Sequence, residues 1–262
     1  MDTEKEKLST EKIRALLPEC LKSLPIVIYD STDSTNTRAK ALALEGAEHG
    51  TAVCAESQTA GRGRQGKSFF SPGGTGLYMS LVLRPGDASG RDVQMATVLA
   101  AVAVCRAIEA EAGVSPKIKW VNDLYLGGRK VCGILAEAVA SAGGIDSVIL
   151  GVGVNCTTES FPGELQGIAG SLGNEGLSRN ALAAKIVGNI LSLWERAASP
   201  EIMEEYRARS LMQGKTVSYM REGAWRTGVV TDINNEGNLA VSEGGVIRVL
   251  RSGEVSVKGD FS

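Results

Sequence analysis

Apolar and polar positions along this chain switch between a period of two and a helical period, and each switch marks an element. From Pro25 the run IVIYD is apolar and rich in β-branched residues, which suits a buried strand; STDSTNT after it offers several side chains able to cap a helix. The pattern predicts that helix over TRAKALALE with Gly46 as its stop, then a strand over TAVCAES after His49. Strand, helix, strand is an α/β beginning. GLYMSLVLR reads as a further strand, and VQMATVLAAVAVCRAIEA repeats its apolar positions at helical spacing until Gly113, as a helix central to the core would. IKWVNDLYL and KVCGILAEAV flank Gly127 and Gly128, a composition that favours a β-hairpin; VILGVGVN is another buried strand, and helical periodicity returns over 178–212.

The two ends differ from this middle. Residues 1–24 read as an extension holding a short charged helix that ends near Pro18, too small for a DNA-binding winged helix. Past Gly214 come short alternating strands, KTVSYM, WRTGVVTDI, NLAVSE, VIRVL and EVSVK, separated by REG, NNEG, EGG and RSG. They predict a small all-β barrel, near the lower size limit for independent stability and therefore packed on the main domain. The expected division is 1–24, 25–213 and 214–262. No internal repeat interrupts it.

Composition narrows the function. The 262 residues are 43% hydrophobic and 22% charged, as in an ordinary folded protein, and the net charge of -2 provides no global basic field for nucleic acid. The single histidine, His49, cannot build a zinc cluster. Five cysteines without a Cys-x-x-Cys spacing read as reduced thiols of a cytoplasmic protein, and no uninterrupted apolar run of transmembrane length or signal-peptide core is present in the sequence.

The sharpest string is GRGRQGKSFFSPGGTGLYMS. Gly61, Gly63 and Gly66 satisfy a dinucleotide-binding pattern, and Gly61 to Ser68 satisfies the P-loop pattern, but both require a helix next and Pro72 with three glycines follows. What survives is a glycine-rich loop carrying Arg62, Arg64 and Lys67, which reads either as an anion clamp and lid or as a solvated basic loop. KWVNDLYLGGRKVCGILAE adds Asn122 and Asp123 at a turn, and Lys130 at a strand start. GVGVN, Gly151 to Asn155, has glycines that mark close approach of a ligand or tight packing. His49, Trp120, Trp194, Trp225, the cysteines and Lys258 read as structural or solvated.

Taken in order, SerThrAsn at 34–36, ESQTAGRGRQG at 56–66, KWVNDLYL with Lys130, GILAE and GVGVN resemble biotin protein ligases of the monofunctional type, from about Pro25 to the C-terminus. Val121, Gln65, Lys67 and Phe69 depart from that family's usual Pro, arginines and Trp. The resemblance implies an α/β catalytic domain with a mixed sheet and flanking helices, followed by an SH3-like barrel. It implies activation of biotin by ATP and Mg²⁺ to biotinyl-5'-AMP, then transfer to a lysine of a biotin carboxyl carrier domain. Lys130, Arg64 and Arg62 would be catalytic. Ser34, Thr35, Asn36, Gln58, Gly61, Gly63, Lys67, Asn122, Gly133, Gly153 and Asn155 would bind biotin or ATP, with Asp123 at the metal or orienting Lys130. A homodimer is a further expectation; DNA and membrane partners are not. The rival readings are a lipoate or octanoate protein ligase of the same fold, and a noncatalytic biotin-binding module.

Overall fold

The computed structural model describes residues 6–85, 93–141, 144–197, 199–251 and 255–257; Lys258 and part of the RSG turn lie outside them. A seven-stranded mixed sheet carries the fold: β1 (Ile26–Thr32), β2 (Ala52–Gln58), β3 (Gly76–Leu83), β4 (Lys117–Lys119), β5 (Asp123–Leu126), β6 (Arg129–Ser141) and β7 (Gly144–Asn155). Their spatial order is β1-β2-β3-β7-β6-β5-β4. Only β1 and β2 run parallel, because α2 (Thr35–Leu44) crosses between them; the other neighbours are antiparallel. The hairpin between β5 and β6 turns at Gly127 and Gly128, both at positive φ, the backbone that a two-residue turn demands.

Side-chain alternation gives the sheet two unequal faces. Leu77, Met79, Leu81 and Leu83 of β3 and Val148, Leu150, Val152 and Val154 of β7 point to one side, where α3 (Val93–Ala112) and α4 (Arg179–Trp194) bury them. α3 is, among the described residues, the helix long and apolar enough to cross a membrane, although Gln94, Arg106, Glu109 and Glu111 interrupt its sequence; here its residues from Ala96 to Cys105 are all buried in the core. On the opposite face α2 covers one end only, packing Ala39 and Ala43 on Val53, Val82, Val139 and Ile149. The rest of that face is left for the site.

The N-terminal segment is more than an appendage. α1 (Thr10–Leu16) stops before Pro18 as its sequence requires, but Leu8, Ile13 and Leu17 are buried against the main core. Arg179, whose side chain is 6% exposed, pairs with Glu56 Oε2 at 2.7 Å, and Glu56 Oε1 accepts from Leu8 N at 2.6 Å. Asn180 binds the backbone of Lys7 and Ser9 as well. The tie is polar and long-range, so hydrophobic periodicity does not announce it.

The helical stretch 178–212 is two helices, α4 and α5 (Pro200–Arg209). Beyond it β8 (Thr216–Arg221), β9 (Ala224–Ile233), β10 (Leu239–Glu243), β11 (Val246–Leu250) and β12 (Val255–Val257) form a second, antiparallel sheet in the order β11-β10-β9-β8-β12. Its Val217, Tyr219, Val230, Ile233, Leu239 and Val241 join the main apolar core, and polar contacts add to them: Trp120 Nε1 donates to Gly237 O at 2.8 Å and Gln94 Nε2 to Asn238 Oδ1 at 3.1 Å. Gly237 has φ 75°, a backbone that favours glycine, and a Cβ there would crowd Val98 Cγ2 at 3.0 Å.

Candidate active site

Three cross-strand rows build the floor. Register aligns Tyr78 with Gly153 and Gly133, then Ser80 with Gly151 and Leu135, then Val82 with Ile149 and Glu137. The first two rows contain three glycines where α2 no longer covers the sheet, and the missing side chains make a trough. Its cleft holds about 450 Å³, within the usual range of a small-molecule site. Asn36, at the start of α2, closes one end: a Cβ on Gly151 would lie 2.1 Å from Asn36 Oδ1. The ring of Phe69 lies over the other row, 2.6 Å from where a Gly153 Cβ would stand and edge-on to Tyr78.

The glycine loop roofs the trough. No α-helix follows it; a 3-10 turn spans Arg64–Gly66 and the next regular element is β3, so both phosphate-motif readings lack the helix they need. Gln65 and Gly66 have positive φ, and Gly63 N donates to Lys67 O at 2.7 Å, folding the loop on itself. Arg62, Gly63, Arg64 and Lys67 all line the cleft. Arg64 donates to Asn122 Oδ1 at 3.3 Å; burial pushes its guanidinium pKa below the ordinary value, against the opposing charge of Asp123. Asn122 is itself fixed to β6, donating from Nδ2 to Ile134 O at 2.9 Å.

Lys130 reaches the same space from β6. Its Nζ sits 2.7 Å from Asp123 Oδ1 and 3.3 Å from the point a Gly133 Cβ would occupy. Its backbone is pinned by Ile168 O and Gly170 N. Ser34, Thr35 and Gln58 complete the wall: Thr35 N donates to Gln58 Oε1 at 2.8 Å, and Gln58 Nε2 to Ser71 Oγ at 2.8 Å.

Most residues singled out in the sequence therefore meet in one cleft. Gly61 and Asn155 do not line it. A Cβ on Gly61 would lie 2.4 Å from Phe69 O, so its role is to let the loop's two strands meet. Asn155 is buried and donates to Gly170 O at 2.9 Å, supporting the segment that pins Lys130. Behind the lining lies what the sequence reading passed over. Ser80 bridges Thr35 and Asn36, and Glu137 accepts from both Asn36 and Arg62. A lone carboxylate in the apolar strand GILAEAVA was the available signal, since a partly buried charge needs a partner. His49 and Trp194 lie elsewhere, each hydrogen-bonded to the Arg84 backbone, and Trp225 is exposed on β9.

Among the described residues no group of three His, Cys, Asp or Glu side chains could hold a metal ion. The carboxylate lining the cleft, Asp123, is already engaged by Lys130. A Mg²⁺ carried in on phosphate oxygens would need few protein ligands.

A trough of glycines beneath a loop of arginines, with Lys130 reaching in from β6, gathers fixed cations around one cleft. Comparison gives that site its family: residues 28–155 match the model of the Biotin/lipoate A/B protein ligase family. The biotin–[acetyl-CoA-carboxylase] ligase of Mycobacterium tuberculosis is 33% identical over 239 residues, 87% of each chain, and the chain belongs to this family. The bifunctional ligase/repressor BirA of Bacillus spizizenii is 40% identical over 192 residues, a match spanning 72% of this chain but 58% of the relative's length. Among solved structures, the Aquifex aeolicus biotin protein ligase in complex with biotin and ATP superposes with a TM-score of 0.77 at 26% identity, covering 89% of this chain and 98% of that one.

Proposed function

We propose that the chain is an ATP-dependent biotin–protein ligase. The observation that carries this reading is the convergence of Arg62, Arg64 and Lys130, from a loop and a separate strand, on one glycine-floored cleft. In the first step a biotin carboxylate oxygen attacks the α-phosphorus of ATP; the bond from that phosphorus to the bridging oxygen breaks and pyrophosphate leaves. Two anions repel each other on approach, and fixed cations offset that repulsion as charge builds in the transition state. Lys130, held by Asp123, is placed for the carboxylate and α-phosphate, and Arg62 and Arg64 close over the product. In the second step the neutral amine of a carrier-domain lysine attacks the mixed-anhydride carbon, AMP leaves, and the amine's proton passes to solvent.

The trough suits a neutral polar bicycle on apolar surroundings, with Ser34, Thr35 and Gln58 as donors and acceptors. Asn36, Gly133 and Gly153 shape it, and Asn122, Gly61, Gly63, Lys67 and Asn155 act on the loop and the nucleotide side. Mg²⁺ enters with ATP as part of the substrate. The roofing loop gives the hydrolysable adenylate its shelter from water. Residues 25–213 form the catalytic unit, 1–24 its N-terminal extension and 214–262 an SH3-like unit. A biotin carboxyl carrier domain as partner, a cytoplasmic location and a homodimer belong to the same reading; DNA does not.

Biotin-dependent exchange of labelled pyrophosphate into ATP tests the first step, with lipoate and octanoate in parallel. Exchange with biotin alone is the expected result. Exchange with lipoate alone moves the chain to the sister reaction, and folded protein inert with all three is no ligase.

A further inference from the structure

Glu137 lies on β6 two positions beyond Leu135 and four beyond Gly133, and so faces the trough side of the sheet. Its side chain is 24% exposed and both carboxylate oxygens are engaged: Oε1 accepts from Arg62 Nη2 at 2.9 Å, and Oε2 from Asn36 Nδ2 at 2.8 Å. Asn36 cannot turn away, because its Oδ1 accepts from Ser80 Oγ at 2.6 Å and Gly151 presses beneath it. The same chain of bonds continues from Ser80 to Thr35 Oγ1 at 2.8 Å, then through Gln58 to Ser71, whose Oγ donates to Phe69 O at 2.9 Å. Both ends of the arginine loop, Arg62 at its start and Phe69 to Ser71 at its close, are therefore tied to one buried polar network.

We infer that Glu137 is a positioning residue that fixes the Arg62 guanidinium, and with it the roofing loop, over the trough; this rests on the ligase reading of the same site. A guanidinium is planar and carries five donors, so a carboxylate on one edge sets its plane and leaves the remaining donors for a phosphate or carboxylate in the cleft. Asn36, which also lines the cleft, holds Glu137 in that orientation. Glu137 is not among the cleft-lining residues, so it acts through Arg62.

A double-mutant cycle on the full chain tests this with two readouts. The variants are Glu137→Gln, Glu137→Ala, Arg62→Ala and the Arg62→Ala/Glu137→Ala pair. The first readout needs no ligand: trypsin cleavage after Arg64 and Lys67 reports loop fixation. Glu137→Ala should speed it severalfold, Arg62→Ala equally, and the pair no further. The second is pyrophosphate exchange. Loss of one charge-assisted bond should lower kcat/KM for ATP in Glu137→Ala by roughly 10- to 100-fold, with the pair no worse than Arg62→Ala and Glu137→Gln in between. A KM for biotin that stays level distinguishes positioning from collapse of the pocket, and Glu137→Gln, which keeps the volume, guards against misfolding. Additive losses in the cycle, or unchanged cleavage in Glu137→Ala, overturn the inference. A wild-type chain without exchange but with coupled cleavage would overturn the ligase reading while the loop-fixing role of Glu137 stands.

Discussion

Gly151 and Gly153 are two residues apart on one strand and face the same trough, yet alanine should do opposite things at them. Neither has positive φ, so the backbone accepts a side chain at both and only the space above decides. At Gly151 the new Cβ would stand 2.1 Å from Asn36 Oδ1 and 2.9 Å from its Cγ. Asn36 is buried and held by Ser80, Leu135 O and Glu137, so it can move only by abandoning those bonds. Overpacking costs about 1–3 kcal/mol and an orphaned buried polar group about 1–3 kcal/mol, which puts Gly151→Ala at about 2–4 kcal/mol after partial relaxation. At Gly153 the methyl meets the far end of the Phe69 ring at 2.6 to 3.0 Å, and a ring on a roofing loop can lift. Its stability cost should stay within about 1 kcal/mol, while the methyl fills the trough floor and weakens biotin binding about 10-fold or more. Urea unfolding measures the first quantity and calorimetric titration with biotin the second. A Gly151→Ala chain as stable as wild type, or a Gly153→Ala chain destabilised as much as Gly151→Ala, would refute the packing account of the trough.

The remaining predictions concern the chemistry, the N-terminal tie and the thiols. Lys130→Ala should abolish pyrophosphate exchange, and because it strands the solvent-shielded Asp123 Oδ1 without its charged partner, urea unfolding should show a loss of about 1–3 kcal/mol beside it. Arg179→Met strands Glu56 among the N-terminal segment, β2 and α4, and should cost about 3–5 kcal/mol in unfolding, with earlier proteolysis near Leu8 as its local sign. Burial pushes the thiols of Cys54, Cys105 and Cys156 up to about 12, so they stay protonated in the fold at a pH where an unfolded thiol ionises. The raised folded pKa means stability is full below the unfolded value of about 8.5 and falls as pH climbs toward 12, by up to ~1.4 kcal/mol per thiol per pH unit. Denaturant midpoints measured from pH 8 to 10.5 should decline, and exposed Cys20 alone among the described thiols should react quickly with a disulfide reagent at pH 8.

Much of this molecule is written locally. The two-residue and helical periods place β1 to β3, α2, α3 and the C-terminal strands within a residue or two, because they depend on neighbours two to four positions away. Turn chemistry works at the same range, as Gly46, Gly113 and the Gly127-Gly128 pair attest. The motif residues were legible too: Arg62, Arg64, Asn122, Asp123 and Lys130 could be singled out one by one, though the loop arginines kept a solvated reading beside the functional one. What the sequence could not decide was which residues share a space. That depends on strand register, which sets Gly133 beside Gly153 and Leu135 beside Gly151, and on the packing of α2 that lays Asn36 over one row. Arg62 and Glu137 are 75 residues apart and touch only once the sheet is assembled. The burial of α1 through Arg179 and Glu56 is of the same kind. Local patterns determine which elements form, but a site made of short-range hydrogen bonds between distant residues exists only after the core has fixed the register.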